Sequence, residues 1–91
     1  MVINTREYLR NYSKTAEGRD KLKKLFRIAL DNGDINEENF WILIFAYVER
    51  RMRESTCIKL SVQPTKYNNM LNEALIKINF TINQLDKVRT L

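Results

Sequence analysis

The sequence contains no histidine and only one cysteine, Cys57. The missing histidine removes the commonest general base, the Ser–His and Cys–His nucleophile pairs and most transition-metal sites. A single cysteine can neither close an intramolecular disulfide nor build a thiolate zinc site. We therefore expect a protein that is not an enzyme and that uses no metal or other cofactor.

Glycine occurs twice and proline once in 91 residues. Small β-sandwiches and barrels need many turns rich in these residues, so the composition disfavours them. The longest apolar run covers residues 40–48, far short of the roughly 20 residues that span a membrane. The N-terminus shows no basic region followed by an apolar stretch. These features predict a protein of the cytoplasm without a transmembrane segment.

The net charge of +5 is unevenly distributed along the chain. Residues 1–31 carry eight basic and four acidic side chains, and residues 50–91 carry eight basic and three acidic ones. Residues 32–49 carry four acidic side chains and no basic one. A dedicated nucleic-acid binder is more often basic throughout or has a basic tail, so this pattern favours an ordinary solvated surface.

Helical periodicity predicts two helices in the N-terminal third. The first covers Thr5 to about Ser13 and is capped by Asn4. The second runs from about Ala16 to Asn32, with Thr15 as its cap and Gly33 in the left-handed position just past its end. Its apolar residues recur at intervals of three and four, which is typical of one buried helix face: Leu22, Leu25, Phe26, Ala29 and Leu30.

A third helix is predicted from about Glu37 to Glu54, with Asn36 as its cap. Acidic residues begin it and arginines end it, as the helix dipole favours. Residues 40–48 are apolar all round, which predicts a central, fully surrounded element. The next stretch, residues 57–63, alternates polar and apolar residues. We interpret it as an extended linker with Ile58, Leu60 and Val62 on the core; an edge strand is the alternative.

The fourth predicted helix starts at Pro64 and runs to the C-terminus. Its apolar stripe steps by four and three residues, while Ile76 and Phe80 lie on the opposite side; the stripe is Leu71, Leu75, Ile78, Ile82 and Leu85. The sequence therefore predicts a single all-α domain over residues 1–91. It is a small bundle of three main helices plus a short N-terminal helix, with an extended linker before the long C-terminal helix.

The apolar inventory of the C-terminal helix exceeds what one small bundle can bury, because it has apolar residues on two faces. We therefore expect a protein–protein interaction module, such as a small regulator, inhibitor or accessory subunit. Its partner would be another protein or a second copy of the chain, as in a homodimer. The candidate interface residues are Leu71, Leu75, Ile76, Ile78, Phe80, Ile82 and Leu85.

A nucleic-acid-binding regulator is the alternative, since arginine and lysine side chains suit phosphate. The candidate contacts are Lys23, Lys24, Arg27, Arg50, Arg51 and Arg53. The third helix cannot be a recognition helix, because its first turns are acidic and then wholly apolar. The absence of a charged face along residues 40–48 also argues against contact with a membrane surface.

Overall fold

The computed structural model describes the backbone of residues 5–89 and the side chains of residues 5–85. Within these residues every regular element is a helix, so the predicted all-α class is confirmed and the edge-strand alternative is wrong. The elements are α1 (Thr5–Ser13), α2 (Ala16–Asp31), α3 (Glu37–Leu43), a π-helical segment (Ile44–Val48) that continues α3, α4 (Arg53–Leu60) and α5 (Pro64–Arg89).

The α1–α2 corner has the predicted boundaries. The Thr15 side chain caps α2 by accepting a hydrogen bond from the backbone N–H of Gly18, at 2.9 Å. The two helices approach closely at Gly18, where a Cβ atom would lie 1.9 Å from the carbonyl oxygen of Tyr12. At the other end of α2, Gly33 has φ +80°, the left-handed conformation predicted for it. The predicted cap of α1, Asn4, lies outside the described residues.

The core forms where α2, α3 and α5 meet, and its fully buried side chains include Leu22, Phe26, Ile42, Leu43, Ile78 and Ile82. Buried Asn39 joins α3 to α5. It forms a reciprocal capping box with Asn36, with N–H to Oδ1 distances of 2.8 and 3.1 Å. Its side-chain amide donates to Glu73 Oε2 at 3.4 Å, and Lys77 Nζ donates to its Oδ1 at 3.3 Å. These bonds satisfy a polar side chain that would otherwise be costly to bury.

The predicted helix over residues 37–54 is wrong beyond Val48. The helix widens into the π-helical segment, and the chain then turns at Arg50, whose φ is 56°. Across this turn the backbone N–H of Arg51 donates to the carbonyl oxygen of Phe45 at 2.8 Å. A straight continuation would carry the following apolar residues away from the core. The turn instead directs the chain back, so that Thr56 and Cys57 are buried.

A linker precedes α5 as predicted, but it is shorter than the predicted residues 57–63. Residues 53–60 form α4, which ends at Ser61 in the left-handed conformation, and only Val62 and Gln63 connect it to α5. Ile58 was expected on the core but is 79% exposed, whereas Leu60 and Val62 are partly buried as expected. In a helix the inward positions are Thr56, Cys57 and Leu60, so the inward and outward positions no longer alternate.

Candidate functional site

The apolar stripe of α5 belongs to the core of the described chain. Leu71, Leu75, Ile78 and Ile82 are all at least nine-tenths buried. These four predicted interface residues therefore present no surface to a partner. Leu85 is 36% exposed and lines a groove of about 250 Å³ between α1 and α2, beside Tyr12, Leu25 and Ile28.

Ile76 and Phe80 occupy the opposite side of α5, where they are 75% and 56% exposed. They lie four residues apart on what we call the α5 outer face, which consists of Asn69, Asn72, Ile76, Phe80 and Asn83. Between residues 67 and 85 the only charged side chains are Glu73 and Lys77, which form an ion pair at 3.4 Å. The α5 outer face is therefore apolar at its centre and ringed by uncharged amides, and Arg6 of α1 contacts one of these amides, Asn72.

Neighbouring helices hold this face in position from both flanks. On one side Thr5 Oγ1 donates to Asn79 Oδ1 at 2.9 Å, and Arg6 donates to the side chain of Asn72. On the other side, Asn39 contacts the Glu73–Lys77 pair. Because α5 is fixed along its flanks and buried along its inner stripe, Ile76 and Phe80 cannot turn inward without disrupting the bundle.

A second candidate surface is a cavity of about 370 Å³ at the end of the bundle where α1 stops. Arg10 and Lys14 reach it from the end of α1, and Arg50 and Arg51 reach it from the turn after the π-helical segment. We call it the basic pocket; its remaining lining residues are Ser13, Ala46, Tyr47 and Tyr67. No acidic side chain lines it among the residues that the structure describes.

Hydrogen bonds and one ion pair hold the walls of the basic pocket in place. Ser13 Oγ donates to the carbonyl oxygen of Tyr47 at 2.6 Å, which ties the end of α1 to the π-helical segment. Arg19 Nη1 in turn donates to the carbonyl oxygen of Ser13 at 2.9 Å. Arg51 is held by Glu49 at 2.7 Å. Arg10, Lys14 and Arg50 form no ion pair within the described part of the chain, so their charges stay available.

The two tyrosines of the basic pocket keep their protons. Burial raises the pKa of Tyr47 above its ordinary value, and the positive charges of Arg6 and Arg10 oppose this only in part. Burial also raises the pKa of Tyr67, helped by Tyr47 and Cys57 and opposed by Arg53 and Arg6. Both hydroxyls are therefore neutral at physiological pH and can donate a hydrogen bond.

The structure divides the six predicted nucleic-acid contacts between two places. Arg50 and Arg51 line the basic pocket. Arg53, two residues further along the chain, pairs instead with Glu54 at 3.6 Å. Lys23, Lys24 and Arg27 instead line another cavity of about 400 Å³, together with Asp20 and Phe40. Arg27 is also paired, with Asp31 at 3.6 Å.

Sequence reasoning missed six of the eight residues that line the basic pocket: Arg10, Ser13, Lys14, Ala46, Tyr47 and Tyr67. The four-residue spacing between Arg10, in the last turn of α1, and Lys14, just past its end, was a usable signal. Nothing in the sequence marks the π-helical segment that presents Tyr47 and the following arginines.

No helix among the described residues is long and apolar enough to cross a membrane, and no three of their Cys, Asp or Glu side chains are grouped so as to hold a metal ion. Comparisons with protein-family models, curated proteins and solved structures found no match to the chain.

Proposed function

We propose that this chain is a non-enzymatic protein-interaction module that acts through the α5 outer face, and that its simplest partner is a second copy of itself. The observation that supports the proposal is the pair Ile76 and Phe80, which stay 75% and 56% exposed although the rest of α5 is well packed. Removing one such side chain from water contributes about 1.5–3 kcal/mol. The free, buried Cys57 accords with the cytoplasm as the place of action.

The composition of the face supports a protein partner. The centres of protein–protein interfaces are depleted in charged residues and enriched in aromatic ones. The α5 outer face has this composition, with Phe80 and Ile76 surrounded by three asparagines. Asparagine amides can donate and accept at the rim, so they fit many partner surfaces.

Charge favours a second copy as the partner. A chain with net charge +5 repels its own copies in most orientations. The five side chains of the α5 outer face are uncharged, and the neighbouring cation, Arg6, contacts Asn72 towards one end of the face, so an antiparallel approach keeps the two Arg6 charges at opposite ends. A two-fold axis at Ile76 would pair antiparallel helices, with Ile76 against Ile76, Asn72 against Phe80 and Asn69 against Asn83, because these residues are equally spaced about position 76.

The size of the face sets the expected strength. Residues 67–85 span about 28 Å of helix and present a strip about 10 Å wide, or roughly 300 Å². A stable interface buries about 800 Å² per partner. We therefore expect reversible dimers with a dissociation constant on the order of 10–1000 µM. Such a dimer would suit a small regulator or accessory subunit that exchanges partners.

Light scattering over a concentration series tests the proposal. The wild-type mass should rise from monomer towards dimer between about 10 µM and about 1 mM. The double variant Ile76→Asp with Phe80→Asp should stay monomeric while its helical circular dichroism is unchanged. The matched control is Ile58→Asp, since Ile58 is 79% exposed on α4, close to the 75% of Ile76. A wild-type chain that stays monomeric throughout would refute self-association, and equal losses in both variants would refute the assigned face.

Site-specific cross-linking tests the geometry. In a Cys57→Ala background, Ile76→Cys should cross-link to itself under mild oxidation, because position 76 would lie on the two-fold axis. Ile58→Cys in the same background should not. A cross-link at position 58 alone would contradict the proposed pairing.

The alternative is a nucleic-acid-binding regulator, favoured by the unpaired cations of the basic pocket together with Lys23 and Lys24. It predicts a mobility shift of DNA or RNA that weakens steeply as salt rises. Absence of any shift at low salt would refute it.

A further inference from the structure

We propose that the basic pocket is a binding site for a small phosphate-bearing compound. This site is separate from the α5 outer face and does not depend on the function proposed for it.

The first argument is the convergence of charge. Arg10 comes from the last turn of α1, Lys14 directly follows that helix, and Arg50 and Arg51 come from a turn some 40 residues later in the chain. Four positive charges around one cavity repel one another, and Glu49 neutralises only Arg51. Among the described residues, Arg10, Lys14 and Arg50 have no anionic partner. An anion in the pocket would relieve this repulsion.

The second argument is the type of donor. Arginine offers parallel N–H donors that fit two oxygens of one phosphate, and lysine adds a compact charge. The hydroxyls of Tyr47 and Tyr67 can add neutral donors at the same wall. A phosphate group presents three or more oxygens, so it can meet the parallel N–H groups of an arginine with two separate acceptor atoms, whereas a chloride ion offers only one.

The third argument is the backbone of Arg50. Its φ of 56° lies in the left-handed region, which costs a non-glycine residue about 1–2 kcal/mol. Arginine is an unfavourable choice for this turn, which glycine would accept without strain. The cost is offset if the Arg50 side chain holds a ligand.

The shape of the site favours a small ligand over a polymer. Its volume of about 370 Å³ falls in the range of small-molecule sites, roughly 300–1000 Å³. The basic residues of α2 line a different cavity, which also contains the acidic Asp20.

Calorimetric titration with pyrophosphate at low salt is the test. We expect saturable, one-to-one binding to the wild type. Arg10→Gln and Arg50→Gln should each weaken it about tenfold or more, since each removes a charge-assisted hydrogen bond. Lys23→Gln removes the same charge from an exposed site outside the pocket and should change the affinity by less than about twofold. Lys14→Gln provides a further variant if either arginine variant fails to fold.

Several results would overturn the proposal. The first is the absence of pyrophosphate binding at low salt. The second is an equal loss of pyrophosphate affinity in the pocket variants and in Lys23→Gln. The third is tight binding of a single-stranded oligonucleotide that depends equally on Lys23 and Arg50. The first result removes the site, the second reduces it to nonspecific charge, and the third replaces it with a nucleic-acid surface. Binding of a mononucleotide with the same dependence on Arg10 and Arg50 would support it.

Discussion

Replacing Gly18 with alanine sets helix propensity against packing. In a helix interior, alanine is about 1 kcal/mol more favourable than glycine, so propensity alone predicts stabilisation. Gly18, however, is buried where α1 meets α2. The new Cβ would lie 1.9 Å from the carbonyl oxygen and 2.7 Å from the carbonyl carbon of Tyr12.

The magnitude follows from this overlap. A carbon and an oxygen need more than about 3 Å between them, so α1 and α2 would have to move apart by about 1 Å. Both colliding groups are backbone, so no side-chain rotation relieves the clash. Overpacking of this kind costs typically 1–3 kcal/mol, and a backbone clash belongs at the upper end. After subtraction of the propensity gain, we expect Gly18→Ala to lose about 2 kcal/mol, or roughly 10 °C in Tm for a domain of this size.

Thermal and urea unfolding monitored by circular dichroism would measure this loss. Gly33→Ala is the control. A Cβ placed at position 33 has no neighbouring heavy atom within 4 Å, so only the backbone φ of +80° opposes the substitution. It should lose about 1 kcal/mol, less than Gly18→Ala. The close crossing of α1 and α2 would be refuted if Gly18→Ala raised Tm, or if it lowered Tm by less than Gly33→Ala does.

Three further predictions concern buried polar groups. Thr56 is fully buried and its hydroxyl has no hydrogen-bond partner in the described chain, so Thr56→Val should be neutral or stabilise by about 1 kcal/mol in urea unfolding; a loss would show an unseen partner. Asn39→Ala removes the side-chain acceptor for the backbone N–H of Asn36, which is half of the capping box, and the contacts to Glu73 and Lys77, and it should lower the free energy of unfolding by about 2–3 kcal/mol. Burial raises the pKa of Tyr67, so the folded state holds this proton more tightly than the unfolded state. The associated stability is present below about pH 10 and is lost as the pH rises further. Over that rise in pH, Tm should therefore fall less in Tyr67→Phe than in the wild type.

The sequence predicted the parts of the fold that local signals determine. The cap at Thr15, the left-handed Gly33 and the start of α5 at Pro64 each depend on neighbouring residues alone. Helical spacing likewise places Ile76 and Phe80 on the side of α5 opposite the buried stripe, and both side chains are exposed as that spacing predicts.

The region from residue 44 to residue 63 could not be predicted in the same way. Residues 40–48 are apolar on every side, so their pattern has no phase that could mark the point where the helix changes. The alternation after Cys57 fits a strand, but of its apolar members only Leu60 takes an inward position in α4, while Ile58 is 79% exposed. Tertiary packing selects the helix, because it buries Thr56 and Cys57 together.

The basic pocket could not be predicted for a related reason. It brings together residues that are far apart in the chain, at a turn that the sequence analysis did not predict. Its position also makes the two proposals separable. Tyr67 lines the pocket near the start of α5, whereas Ile76 lies nine residues further along the same helix, about 14 Å away. Substitutions more than about 10 Å apart with no shared partners usually act independently. Loss of pyrophosphate binding in Arg50→Gln should therefore leave dimerisation intact, and loss of dimerisation in the Ile76 and Phe80 variant should leave pyrophosphate binding intact.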